Sequence, residues 1–423
     1  MQLEFDVLQA NNTWTLQDHP LGAWIITGKW VFKHKWNPDD TLDRYKARWV
    51  VHGFNQRPEI DFGEIFLPIE TVYCSQPTGF EHPERPNVVC LLSRSLYGLR
   101  QGPRQWFLRF VAYVTSLGFV QSHTDSSLFV LRHSADTMYL LLYIDAMILS
   151  ASSSRLLQHI IAKLKLEFAI KDLGPLWFFH GIDVQRDDSG FFLSQEKYAK
   201  EILEQANLSN CKAAGTPADV HPKTSDTDGN LINDTSWHRS MAGALQYLTL
   251  TRPDIAYAVQ QMCLHMHAAR DAHLTLLKRI LRYVKGTTSL GLRLLPVASL
   301  KLTAYTDTDW AGCPDTRCST SGFLVFLGES LASWSSKRQA TVLHSSIEAK
   351  YRGVANVIAE CSWLRQLLGE LHYHIQGATI AYCDNVSSVY MARNPVHHQR
   401  TKHIELDVHF VREKVALGEL RVL

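Results

Sequence analysis

Carboxylates in the last third of the chain stand in an order that could do metal chemistry. Asp307 closes a stretch, residues 300–307, that reads as a strand. Glu348 falls on the first turn of a long helix expected from residue 345 to 371. Asp384 closes a further strand, residues 379–384, and Glu405 and Asp407 open a terminal helix. Two strand ends and a helix start can meet at one edge of a mixed α/β layer. Carboxylates gathered there repel unless cations neutralise them. Two Mg²⁺ ions about 3.5–4 Å apart would do so, and would clamp the attacking water and leaving oxygen of a phosphodiester. Taken singly, each acid has a structural reading: Asp309 and Asp384 as turn residues, Glu348 as a complement to the helix dipole. The ordered set favours the metal. A further acid, Asp145, is the one charge in the apolar run of residues 138–150. A carboxylate in such a run costs several kcal/mol unless it is paired or metal-bound. It reads either as a turn residue at a hairpin tip or as a metal ligand there.

The rest of the chain has to position these groups. Its 423 residues suffice for two or three domains, and 46% hydrophobic with 20% charged content is that of a globular protein. A net charge of +2 calls for no polyanion, so any nucleic-acid surface must be local. Eight cysteines without a C-x-x-C pair read as reduced thiols of an intracellular protein, cytoplasmic with nuclear placement as the alternative. The N-terminus lacks an apolar signal core, and no run reaches the roughly 20 apolar residues of a membrane span. Residues 30–36 alternate apolar and basic, a turn follows at 37–40, and a strand returns from 45. Lys29, Lys33, Lys35, Arg44, Lys46, Arg48 and Arg57 stand there against Asp39, Asp40 and Asp43. Such a hairpin reads as a solvated face, or, with its interleaved aromatics, as a site for phosphates and bases. Gly98 and Gly102-Pro103 punctuate residues 93–106 before a helix to residue 117. Residues 216–237 form a polar linker, and three helices follow over 240–250, 255–266 and 273–285.

Several motifs carry a specific likeness. Tyr305-Thr-Asp-Thr-Asp-Trp-Ala-Gly312, Ser333-Trp-Ser-Ser-Lys-Arg-Gln339, Ser345-Ser-Ile-Glu-Ala-Lys-Tyr351, Tyr382-Cys-Asp-Asn385 and Arg400-Thr-Lys-His-Ile-Glu405 resemble the RNase H domain of copia-type LTR retrotransposon Pol polyproteins. Tyr45-Lys-Ala-Arg48, Ser95-Leu-Tyr-Gly-Leu-Arg-Gln101, the Asp145 stretch, Asp172-Leu-Gly-Pro175, Leu193-Ser-Gln-Glu-Lys-Tyr198 and Thr251-Arg-Pro-Asp-Ile-Ala256 resemble the reverse transcriptase of the same elements. The resemblance implies an α+β fingers/palm, here incomplete, over residues 1–215. It implies a linker and helical thumb/connection over 216–296, and an α/β RNase H-like domain with a mixed sheet over 297–423. It further implies that Lys46 and Arg48 hold the phosphates of an incoming nucleotide and that Gln101 and Gly102 lie beside its sugar. Asp145 matches the first Asp of the Tyr-x-Asp-Asp hairpin that binds catalytic metal. Asp307, Glu348 and Asp384 match the RNase H ligands of Mg²⁺ (or Mn²⁺), with a fourth at Glu405, Asp407 remaining open. The implied partner is an RNA–DNA hybrid or other nucleic acid, with no membrane.

Three departures qualify this. The second hairpin Asp is Ala146. The palm motif bearing another ligand belongs between residues 66–69 and 72–73, which here nearly abut. One remaining carboxylate cannot hold two Mg²⁺ ions, which dehydrate reluctantly, so DNA synthesis is not expected. Loss of that strand is also expected to weaken the first domain. Lys350 stands where the family has a second Glu, about 200° around the helix from Glu348. The leading expectation is therefore a silent polymerase with a retained two-metal hybrid ribonuclease. The alternative is an inert remnant that binds nucleic acid through the basic hairpin, or a product with no stable fold.

Overall fold

The computed structural model describes residues 1–36, 41–57, 72–144, 146–219, 224–297, 299–394 and 402–423. Two compact units result, one of Met1–Gln121 with Leu131–Ser134 and the other of Ser122–Val130 with Ala135–Leu423.

In the first unit, helix α1 (Gln2–Ala10) precedes strands β1 (Trp14–Gln17), β2 (Ile25–Ile26), β3 (Gly28–Trp36), β4 (Leu42–Val51), β5 (Tyr73–Cys74) and β6 (Val89–Leu92). Helix α2 (Gly102–Ser116) and strand β7 (Val120–Gln121) follow. A small sheet runs in the order β1-β6-β5-β2, and β3 pairs with β4 as a separate antiparallel hairpin. Trp14, Ile26, Trp49, Val51, Cys74, Cys90 and Leu92 form the core, joined by Leu96 and Leu99. The last two explain the Ser95–Gln101 motif. Its leucines are buried, and between them the Tyr97 carbonyl accepts from Val51 N at 2.8 Å.

Strand β8 (Leu128–His133) is divided between the units at Val130 and Leu131, and the second unit continues through hairpin β9 (Asp136–Tyr143) and β10 (Ala146–Ala151) and helix α3 (Ser154–Glu167). The apolar run around Asp145 thus forms the expected hairpin, with Tyr143 paired to Ala146. Strands β11 (Phe178–Phe179), β12 (Ile182–Asp187) and β13 (Gly190–Ser194) form a sheet completed by β14 (Gly291–Leu294). Between β13 and β14 lie helices α4 (Glu196–Gln205), α5 (Thr235–Leu248), α6 (Ala256–Cys263) and α7 (Asp271–Gly286). Their apolar faces meet in one core that includes Leu203, Met241, Leu245, Ile255, Met262, Leu277 and Ile280.

The polar segment expected to be a linker is tied down where it is described. Arg279 donates to Asp219 and Thr216, Arg270 donates to the Asp226 and Gly229 carbonyls, and Asp226 pairs with His265 at 2.6 Å. Its lack of apolar periodicity reflects attachment by hydrogen bonds rather than by burial.

Beside this attachment, His238 of α5 is fully buried, and neither ring nitrogen has a hydrogen-bond partner among the described residues. Burial, with the neighbouring His273 and His265, pushes its pKa below the ordinary 6.5; burial and His265 push His273 the same way. A depressed folded pKa means the unfolded chain takes protons first. The stability these groups confer is therefore present above about pH 6.5 and is lost as pH falls through their folded values. His238→Phe should match the parent in urea midpoint at pH 7.5 and fall less between pH 6.5 and 5. An equally steep fall would place the acid sensitivity elsewhere.

The last part of the unit is a five-stranded mixed sheet in the order β17-β16-β15-β18-β19. Its strands are β15 (Leu302–Asp309), β16 (Thr320–Leu327), β17 (Ser330–Arg338), β18 (Thr379–Cys383) and β19 (Leu420–Val422). The first three are antiparallel, while β15-β18 and β18-β19 are parallel. Helix α8 (Ser346–Glu370) lies on one face, with α9 (Val386–Arg393) and α10 (Glu405–Ala416) beside it. Along β15, residues 302, 304, 306 and 308 are buried, whereas 305, 307 and 309 are exposed. This period of two sends Asp307 away from the core. Gly353 allows α8 its close approach, because a Cβ there would lie 2.5 Å from Thr308 Oγ1.

Candidate active site

Asp307 and Asp384 come together at the end of the parallel pair β15-β18. Asp307 lies one residue past the last paired position of β15, Thr306↔Cys383, and Asp384 directly follows Cys383. Both are largely open, with 77% and 60% of their side-chain surfaces exposed, and Asp307 accepts from Thr308 N at 2.6 Å.

The α8 side chain that reaches them is Lys350. Its Nζ lies 3.4 Å from Asp307 Oδ1 and is hydrogen-bonded to Asp384 Oδ2, with only 19% of the side chain exposed. Burial opposes the charged form, but the hydrogen bond to Asp384 and the charges of both aspartates outweigh it and hold the ammonium pKa above its ordinary value.

Glu348, expected to be the third carboxylate, is used elsewhere. It is 5% exposed, and its Oε2 accepts from Ser345 N and Ser345 Oγ, each at 3.0 Å. Ser345 Oγ in turn accepts from Glu348 N. This reciprocal capping box satisfies orphan backbone donors at the helix start. The expectation that Glu348 joins the aspartates is therefore corrected: the cap fixes Glu348, and the turn of the helix brings Lys350 to them. The spacing Ser345-x-x-Glu348 was the sequence signal for this.

The two acids of α10 also stand apart from the pair. Asp407 is bound by Arg352, Nε to Oδ2 at 3.0 Å, and Arg352 also donates to the His403 carbonyl. Glu405 is exposed on the first turn of α10. Among the described residues no three His, Cys, Asp or Glu side chains gather closely enough to hold a metal ion. Asp307, Asp384 and Lys350 therefore do not fit a divalent cation, because an ammonium already lies against both carboxylates.

Other motif residues frame this site. Gln339, at 6% exposure, donates to Ser321 Oγ at 2.7 Å and to the Ala349 carbonyl at 2.9 Å, joining the end of β17 to the first turn of α8. Ser333 donates to Glu360 at 2.6 Å, and Trp334 Nε1 to the Thr249 carbonyl at 3.2 Å.

In the first unit the β3–β4 register sets Val31 opposite Arg48, Lys33 opposite Lys46 and Phe32 opposite Ala47. Arg48 stacks over the Tyr97 ring at 4.4 Å. Gln101 accepts from Gln56 Nε2 at 2.9 Å, and Gly102 opens α2. Gln101 thus belongs to a network in which Gln56 also accepts from Arg100 N, and Arg100 donates to the Gly53 carbonyl. Asp145 lies outside the described residues.

The family described as reverse transcriptase (RNA-dependent DNA polymerase) matches residues 11–72 and 69–220. The retrovirus-related Pol polyprotein from transposon RE1 of Arabidopsis thaliana is 40% identical over 459 aligned residues, covering all of this chain and 31% of that protein. The corresponding polyprotein from transposon TNT 1-94 of Nicotiana tabacum is 35% identical, covering all of this chain and 35% of its own length. The chain belongs to the copia-type Pol polyproteins. It spans about a third of the length of these relatives. Among solved structures, the N-terminal RNase H domain of a Mycobacterium tuberculosis protein aligns over 29% of this chain and 78% of its own, at 14% identity and a TM-score of 0.21, too low to compare architectures.

The reverse-transcriptase match of this Pol chain comes in two pieces that meet at residues 69–72, the place where two family stretches nearly abut in the sequence. Residues 58–71 lie outside the described ones. No helix among the described residues is long and apolar enough to cross a membrane.

Proposed function

We propose that this copia-type Pol region is a nucleic-acid-binding protein that does not copy its ligand, with the β3–β4 hairpin as a fingers-like contact surface. The observation that carries this reading is the hairpin register. Residues directly opposite in an antiparallel pair share a face. Lys33 faces Lys46, and Arg44 and Arg48 lie on the same side of β4 by alternation. A row of basic side chains on one face suits a polyanion, whose phosphates it can contact with release of counterions. The other face carries Phe32 and Tyr45, 65% and 75% exposed, which supply stacking surface for bases. Polymerisation needs a carboxylate set able to strip water from Mg²⁺. Ala146 stands where the resemblance places one such acid, and between residues 69 and 72 the sequence leaves no room for the strand that the resemblance implies would bear another.

Fluorescence anisotropy with an RNA–DNA hybrid tests the proposal. Affinity should fall steeply with salt, by about 0.9 log units per log unit of salt for each phosphate contact in a duplex. Lys46→Glu should weaken binding at least about tenfold and reduce that slope by about one contact or more. Primer extension by the parent protein should be absent. Salt-independent binding, or binding untouched by Lys46→Glu, would remove the hairpin from the interface.

A further inference from the structure

The acid pair at the end of β15-β18 is where this chain parts from the metal chemistry that its sequence suggests. We infer that Lys350 is a resident counter-ion: its ammonium takes the place of a divalent cation between Asp307 and Asp384. It closes this sheet edge to divalent metal, and residue 350, rather than 348, decides whether the edge can open. The inference goes beyond nucleic-acid binding, because it concerns the state of a different site.

Three features carry it. The ammonium touches both carboxylates, and the Lys350 side chain is the least exposed of the three, at 19% against 77% and 60%. A divalent ion would have to expel it or sit beside it against charge repulsion. The α8 cap also holds Glu348, whose Oε2 accepts two hydrogen bonds from Ser345, and this restrains its turning toward the aspartates. The position of α8 is also fixed. Gly353 lies against Thr308 and Thr306 of β15, where a Cβ would meet their hydroxyls at 2.5 and 3.2 Å, and Gln339 holds the Ala349 carbonyl one residue before Lys350. The backbone that delivers residue 350 to the aspartates is thus built into the fold, whatever side chain stands there. A lone ammonium leaves the two-carboxylate pair with one negative charge, too little to dehydrate Mg²⁺.

The test is thermal melting of the full chain in EDTA and in millimolar Mg²⁺ or Mn²⁺. The parent should melt at the same temperature in each. K350E, which gathers three acids, should melt several degrees lower in EDTA and recover in Mg²⁺, because a ligand that binds only the folded state stabilises it. Adding D307N to K350E should abolish the recovery. K350Q removes the counter-ion without adding an acid, and decides the matter if K350E does not fold. It should melt lower than the parent in EDTA, whereas an unchanged melt would show that the ammonium balances nothing. A melting rise of the parent in Mg²⁺ that D307N removes would overturn the inference. So would Mg²⁺-dependent hybrid cleavage by the parent that D307N abolishes, or a folded K350E blind to Mg²⁺.

Discussion

Gly98→Ala should unfold the first unit under conditions where the parent is stable. Gly98 has φ near +100°, a conformation L side chains rarely adopt, and a Cβ there would lie 1.9 Å from the Val51 carbonyl oxygen and 2.9 Å from Val50 Cγ1. A rotamer change can move Val50 Cγ1 but cannot relieve the contact with the Val51 carbonyl. That contact is to backbone at the end of β4, where Val51 N also donates to the Tyr97 carbonyl. Left-handed strain and overpacking together give a loss of about 3–5 kcal/mol, a large share of a typical domain's stability of roughly 5–15 kcal/mol. Gly102, four residues on in the same motif, provides the control. Its nearest neighbour is the Leu96 carbonyl at an ordinary 3.4 Å, and it opens α2, so Gly102→Ala should change stability by less than about 1 kcal/mol. Urea unfolding followed by the fluorescence of buried Trp14 and Trp49 reads the difference. Hybrid affinity should fall with Gly98→Ala as well, since Arg48 rests on Tyr97. Equal stability of the two variants would mean that the motif does not anchor the hairpin.

The contrast between these glycines shows what a sequence can convey. Both were legible as punctuation, but only the fold reveals that one touches a neighbouring strand's backbone. Periodicity served well wherever burial decided the structure. Residues 300–307 read as a strand ending in Asp307, which β15 is, and of the helically spaced Val354, Ile358, Cys361, Leu364, Leu368 and Leu371 the first four are buried in α8 and the last two half-buried. Where two local rules competed, the reading went astray. Residue 348 carries the only acid in the first turn of α8, so composition favoured it as a ligand. The capping box made the opposite demand and prevailed, because it satisfies donors that have no other partner. Residues 348 and 350 lie about 200° apart on a helix, so fixing one at the cap turns the other toward the sheet edge. The attachments of the polar linker segment were equally hidden from the sequence. Polar residues 224–230 are held by Arg270, His265 and His273, long-range partners that no local pattern announces.

Arg252→Ala should cost about 3–5 kcal/mol, the loss typical of breaking one side of a buried ion pair. Arg252 is 2% exposed. It donates to both Asp254 oxygens at 2.9 and 2.7 Å, to the Thr287 carbonyl at 2.8 Å and to Thr287 Oγ1 at 2.7 Å. Thr287 follows α7, so one guanidinium satisfies an end carbonyl of that helix and also neutralises the acid that opens the turn before α6. The neighbouring Thr251 donates to Gln195 Oε1 at 2.9 Å in a fully buried contact, and Gln195 belongs to the motif that begins α4. Two sequence signatures, meeting through residues 56 apart, therefore share one joint of the helical core. The loss should also depend on pH in a defined direction. Burial opposes ionisation of Asp254, but its hydrogen bonds from Arg252 outweigh this and hold its pKa below the ordinary 3.8. A depressed folded pKa gives stability that is present above that ordinary value and lost as pH falls through the folded one. In Arg252→Ala the stranded carboxylate keeps the burial that raises its pKa and loses the partner that lowered it. The gap between parent and variant should therefore be widest near neutral pH and narrow on acidification, as Asp254 becomes neutral. Asp254→Asn in the Arg252→Ala background should recover part of the loss at pH 7, because it removes the unpaired charge while leaving the α7 carbonyl unsatisfied. Urea midpoints of the parent, Arg252→Ala, Asp254→Asn and the double variant at pH 7 and pH 4 give the coupling directly. A strictly additive cycle, or a gap that widens on acidification, would show that the ion pair is not what makes Arg252 costly to lose.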